Sequence, residues 1–101
     1  MRRVLLVCSA GMSTSLLVNN IKKAAEASNI EIFVEAQPVS KIEEFGPKAD
    51  CVLLGPQVRY ELNRIKTMYP DKPVASMDMQ AYGTMNGGLI LKQIAQLFGE
   101  E

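Results

Sequence analysis

Hydrophobic positions along the chain switch between unbroken runs, strict alternation and helical stripes. Arg3 to Cys8 contains the run Val4-Leu5-Leu6-Val7, the mark of a short strand buried on both faces. From Ser13 to Ala27 the spacing becomes helical. Leu17, Ile21, Ala24 and Ala25 fall on one stripe, while Asn19, Lys22, Lys23 and Glu26 face water. Ile30 to Ala36 then alternates, with Ile30, Ile32, Val34 and Ala36 against Glu31, Phe33 and Glu35, which predicts an edge strand. Ser40 with Glu43 three residues later fits a capping box for a short helix.

Cys51 to Leu54 is wholly apolar again and predicts a central strand. Gly55-Pro56 ends it, and Pro56 suits the first turn of a helix whose stripe is Val58, Leu62, Ile65 and Tyr69. Val74 to Met77 predicts a fourth strand. Asn86 to Phe98 predicts a closing helix with Ile90, Ile94, Leu97 and Phe98 inward. Gly83, Gly87 and Gly88 serve turns and the start of that helix.

Strands alternating with helices imply an α/β fold: a four-stranded parallel sheet with helices on both faces, formed by residues 1–101 as a single domain. The alternating second strand belongs at an edge, which favours the order 2-1-3-4. That order has a switch point between strands 1 and 3, where open α/β sheets bind ligands beyond the carboxyl ends of their strands. Cys8 ends strand 1 at that place, and Gly55-Pro56-Gln57 comes directly after strand 3.

The residues after Cys8 give this position chemical content. Small residues let the backbone of Ser9, Ala10, Gly11, Met12, Ser13 and Thr14 curl around an anion, and a helix N-terminus offers unsatisfied N–H groups and a partial positive charge. Ser9, Ser13, Thr14 and Ser15 can add hydroxyl donors. Such surroundings favour a thiolate, and a thiolate facing a phosphate cradle is a nucleophile for phosphorus. Each charge-assisted hydrogen bond contributes roughly 1.5–3 kcal/mol. The plainer alternatives are a packing cysteine and hydroxyls that merely cap a helix. Cys51 opens its strand at the opposite end of the sheet and is read as core.

Composition narrows the field further. Eleven acidic and eleven basic residues among 101 give zero net charge, which argues against nucleic acid and against an anionic membrane surface. No apolar run approaches the roughly 18 residues a membrane-spanning helix needs. The apolar run after the N-terminal arginines is too short for a signal-peptide core, so a cytoplasmic chain is expected. Two cysteines, no histidine and no CxxC give no support for zinc or a redox pair, and no metal or other cofactor is expected. Without histidine, Cys8 also lacks the usual base of a cysteine-nucleophile dyad.

The stretch "LLVCSAGMSTSLLV" closely resembles the phosphorylation loop of enzyme IIB in the lactose/cellobiose (N,N'-diacetylchitobiose) branch of the bacterial sugar phosphotransferase system. "ADCVLLGPQVRYEL" is similar to that family's third strand and following loop, and "PDKPVASMDMQAYGTMNG" to its fourth strand and the loop before the last helix. The resemblance covers nearly the whole chain. It implies that Cys8 takes a phosphoryl group from a phosphohistidine of enzyme IIA, with Ser9 to Ser15 as the cradle, and passes it to a sugar at the membrane component, enzyme IIC. The sugar class implied is a β-linked disaccharide. The family fold it implies is a four-stranded parallel sheet.

Two other functions compete. Low-molecular-weight tyrosine phosphatases resemble this layout, but their loop carries an arginine at the sixth position after the cysteine, where this chain has Thr14. That arginine clamps phosphoryl oxygens, and its absence weakens stabilisation of attack by water. Asp78 can mimic the phosphatase general acid, with Tyr82 four residues on. The second alternative is a non-enzymatic phosphate-binding module with a structural cysteine. Gln57, Asp78 and Tyr82 stand as secondary site candidates: Gln57 as an amide donor to the phosphate or loop, Asp78 as an acceptor ordering its own loop. Met12 is expected at a small, transient interface with the IIA and IIC partners, and a monomer is expected.

Overall fold

In the computed structural model, residues 2–9 and 14–99 are described. Four parallel strands, β1 (Arg2–Cys8), β2 (Ile32–Pro38), β3 (Cys51–Leu54) and β4 (Val74–Ser76), form one sheet in the order β2-β1-β3-β4. The helices are α1 (Thr14–Ala27), α2 (Ile42–Phe45), α3 (Leu62–Met68), α4 (Met79–Gly83) and α5 (Gly87–Leu97).

Strand alternation divides the core in two. Val4, Leu6, Cys51 and Leu53 face α1, α4 and α5, where they meet Leu17, Ile21, Tyr82, Ile90 and Ile94. Leu5, Val7, Val52 and Leu54 face the other way and pack on Ile42, Val58 and Ile65. Both central strands are therefore buried on both faces, which is why they read as unbroken apolar runs. The helix after β1 and the helix after β3 leave on opposite faces, and this separation opens the crevice between the two strands.

The α1–α5 pair closes one face through a near contact of backbones. A Cβ on Gly87 would lie 2.3 Å from the carbonyl carbon and oxygen of Asn20, so only glycine fits at the start of α5. Asn20 secures the same junction by donating its side-chain amide to the Met85 carbonyl at 2.8 Å.

Several local expectations are corrected. The second strand starts at Ile32, not Ile30, because Ile30 finishes α1 instead. Asn29 takes a left-handed φ of 56°, and the Ile30 N–H bonds the Ala25 carbonyl at 2.8 Å. This is a Schellman stop with Asn in the glycine position. The Ser40–Glu43 capping box does not form. Ser40 lies inside a 3₁₀ turn, Val39–Lys41, and α2 starts at Ile42 after Lys41 with no side-chain cap.

Pro56 does open a helical segment, but Pro56–Glu61 is 3₁₀ and kinked at Val58, whose φ and ψ of −119° and 19° are non-helical. The α-helix proper is confined to Leu62–Met68. β4 ends at Ser76, although the Met77 N–H still bonds the Leu54 carbonyl at 2.7 Å. Between β4 and α5 lies an unforeseen helix, α4, where the sequence suggested a loop.

Candidate functional site

The carboxyl ends of β1, β3 and β4 deliver three segments to one end of the sheet. β1 delivers Cys8, which is buried and whose Sγ donates to the Gln37 carbonyl of β2 at 3.9 Å. Ser9 comes next in an exposed bend, and α1 begins at Thr14. Ala10, Gly11, Met12 and Ser13 lie outside the described residues, as does the side chain of Thr14. Ser15 is exposed on the first turn of α1. That turn contains no acidic residue, so none of its side chains offsets the positive end of the helix dipole.

β3 delivers Gly55, whose N–H bonds the carbonyl of Val7, the residue just before Cys8, at 2.7 Å. Gln57 sits on the next turn, exposed, and donates its side-chain amide to the Tyr82 hydroxyl at 2.8 Å. Tyr82 belongs to α4, with its ring in the core. Gln57 and Tyr82 are therefore brought together, from segments 25 residues apart.

Asp78 has a different occupation. Its carboxylate accepts the N–H of Ala81 at 2.9 Å and so caps α4. Its own N–H is held by Gln93 of α5 at 3.1 Å, and the same Gln93 amide donates to the Ser76 carbonyl at 2.9 Å. One side-chain amide thus satisfies two backbone groups at the exit of the edge strand. Neither Gln93 nor the Gln37 carbonyl stood out in the sequence: Gln93 lies within a helical pattern, and a backbone carbonyl has no residue-type signature.

The second cysteine is chemically distinct. Cys51 is fully buried at the start of β3, and burial, with Asp50 alongside, pushes its thiol up from 9.0 to about 12. It stays protonated at neutral pH. No disulfide joins it to Cys8. Among the described residues there is no group of three or more His, Cys, Asp or Glu side chains placed to hold a metal. A surface groove of about 670 Å³ lies at the opposite pole, at the amino ends of the strands, between Arg2, Lys48, Asp50 and Lys72.

Residues 3–93 match the family described as the lactose/cellobiose-specific IIB subunit of the PTS system. This chain belongs to that IIB family. The oligo-beta-mannoside-specific EIIB component of Bacillus subtilis (strain 168) is 39% identical over 100 residues, covering 96% of each chain. The cellobiose-specific EIIB component of Lactococcus lactis subsp. lactis (strain IL1403) is 36% identical, over 87% of this chain and 88% of that protein.

Among solved structures, the cellobiose-specific phosphotransferase IIB component of Borrelia burgdorferi is 37% identical with a TM-score of 0.78, covering 99% of this chain and 94% of that one. The lactose-specific IIB domain of Streptococcus pneumoniae superposes more closely, at a TM-score of 0.85 over 96% and 97% of the two chains, and at 16% identity it speaks for the fold alone. The same holds for the YwlE mutant of Bacillus subtilis, at a TM-score of 0.63 and 16% identity over 98% and 99%.

As a IIB component of a sugar phosphotransferase system, the chain is a member of a phosphotransferase family. Among its described residues no helix is long and apolar enough to cross a membrane.

Proposed function

We propose that residues 1–101 act as a single phosphoryl-carrier domain in which Cys8 is the acceptor. The observation that carries this reading is the place of Cys8: last residue of β1, at the switch point of the sheet, with α1 starting six residues later. In the first step the Cys8 thiolate attacks the phosphorus of a phosphohistidine on a IIA partner. The S–P bond forms as the N–P bond breaks, and the electron pair stays on the histidine nitrogen. Backbone amides and hydroxyls of Ser9 to Ser15 hold the equatorial oxygens. In the second step a sugar hydroxyl bound at a IIC partner attacks phosphorus and the Cys8 thiolate leaves. The hydroxyl proton passes to a base on the partner.

The same arrangement disfavours hydrolysis. Thr14 stands where a phosphatase loop has its arginine clamp, and one oxygen of the Asp78 carboxylate already accepts the Ala81 N–H. A transferase gains from both, because water attack would waste the phosphoryl group. The curated relatives include proteins named for oligo-beta-mannoside, galactose and cellobiose, at 36–39% identity to this chain. This fits a carrier that leaves sugar choice to the membrane component, and a β-linked disaccharide is the proposed class. The chain would work in the cytoplasm, as a monomer, meeting the membrane only through IIC.

Substitution of the two thiols tests the assignment. Cys8→Ser abolishes transfer from phospho-IIA to sugar, because a serine hydroxyl is not ionised near neutral pH. Cys51→Ala leaves transfer near the parent level. Retained transfer by Cys8→Ser, or its loss in a folded Cys51→Ala protein, would show that the wrong thiol has been assigned.

A further inference from the structure

Gln57 is exposed, yet its amide does not point to solvent. It folds back over Gly55 and donates to the hydroxyl of Tyr82 at 2.8 Å. A side chain at Gly55 would crowd that fold-back. A Cβ at Gly55 would lie 2.8 Å from Gln57 Oε1, 3.4 Å from the Val7 carbonyl and 3.8 Å from Cε1 of the Tyr82 ring. Gly55 is thus a floor on which amide and ring meet, and its N–H ties that floor to Val7 at 2.7 Å, one residue before Cys8. Tyr82 is buried against the core on its ring side, so its hydroxyl has a fixed place.

We infer that Gln57 and Tyr82 act as one positioning unit for phosphoryl transfer at Cys8, seated on Gly55. The inference deepens the carrier role proposed above and depends on it. The bridge joins the segment leaving β3 to the helix after β4, and the Gly55–Val7 bond joins both to the end of β1. These segments flank the place where donor and acceptor must each reach Cys8. In-line transfer tolerates little error, since a displacement of about 1 Å can cost on the order of a hundredfold in rate. Neither residue is assigned bond making or breaking; they hold the walls.

The test is the single-turnover rate of transfer from phospho-IIA to this chain, measured as a function of IIA concentration, for Tyr82→Phe, Gln57→Ala, the double variant and Gly55→Ala. Tyr82→Phe keeps the ring in the core and removes only the hydroxyl. Each variant is expected to lower the maximal rate roughly ten- to a hundredfold, with the half-saturating IIA concentration little changed. The double variant is expected to fall no further than about twofold below the slower single variant, because the two residues act as a unit. Maximal rates within about twofold of the parent, losses that multiply in the double variant, or losses confined to half-saturation would each overturn the inference while leaving the carrier role intact. A parent chain that takes no phosphoryl group would overturn both.

Discussion

Cys51 lies in register with Val4, four residues before Cys8 on the neighbouring strand. At about 3.3 Å per residue the backbone positions of the two cysteines are offset by roughly 13 Å along the strand direction, at opposite ends of the sheet. They cannot form a disulfide without rebuilding the core, which requires Cα atoms within about 7 Å. They also experience different surroundings, one at the carboxyl end of β1 and one sealed in the core at the start of β3.

That sealing has a consequence for pH. The Cys51 thiol rises from 9.0 to about 12, so the folded protein holds this proton more tightly than the unfolded chain does. Its contribution to stability is complete below about pH 9 and is lost as pH climbs towards 12. Tyr69, pushed up by burial and by Glu43, acts in the same direction. Thermal melts from pH 7 to 11 should show a midpoint falling above about pH 9, and a shallower fall for Cys51→Val. Parallel curves for the two proteins would contradict the placement of Cys51.

The junction of α1 and α5 makes a contrast between adjacent glycines. At Gly87 a methyl group would strike the backbone of Asn20, which cannot move without shifting α1. Gly87→Ala is expected to lose roughly 1–3 kcal/mol, as overpacked sites do. At Gly88 the nearest atom to a new Cβ is Asn86 Oδ1 at 3.5 Å, an ordinary contact. Gly88→Ala should be neutral or gain up to about 1 kcal/mol from helix propensity. Urea denaturation of the two variants checks the pair, and similar stabilities would rule out the close backbone approach.

Gln93 offers a different kind of probe, local rather than global. Gln93→Ala removes the acceptor for the Asp78 N–H and the donor to the Ser76 carbonyl. A loss of about 1–2 kcal/mol is expected from two neutral hydrogen bonds, one of them part-buried. Amide exchange at Asp78 should accelerate well beyond the change in global stability. Unchanged exchange at that amide would mean another group holds it.

The sequence made the frame of this protein readable because its two central strands carry one kind of side chain. Val4 to Val7 and Cys51 to Leu54 are apolar on both faces, and the alternating segment around Val34 belongs at an edge, so strand order could be inferred. The same logic placed Cys8, Gly55, Gln57, Asp78 and Tyr82 at the carboxyl ends of their strands. What escaped were features set by tertiary partners. Ser40 and Glu43 have the spacing of a capping box, but the chain makes a 3₁₀ turn there and α2 starts without a side-chain cap. α4 is five residues long, too short for any periodicity to register, and is held by Asp78 and Gln93 instead. The Gln57–Tyr82 bond spans 25 residues and lies over Gly55, a pairing no local pattern encodes.

The most direct test of the carrier role is the intact mass of the chain after incubation with phosphoenolpyruvate, the general phosphotransferase components and a IIA partner. A single phosphoryl group is predicted, mapping to Cys8, absent from Cys8→Ser, and removed when sugar and IIC-containing membranes are added together. An unmodified mass, or a phosphoryl group mapped to any other residue, would contradict the account.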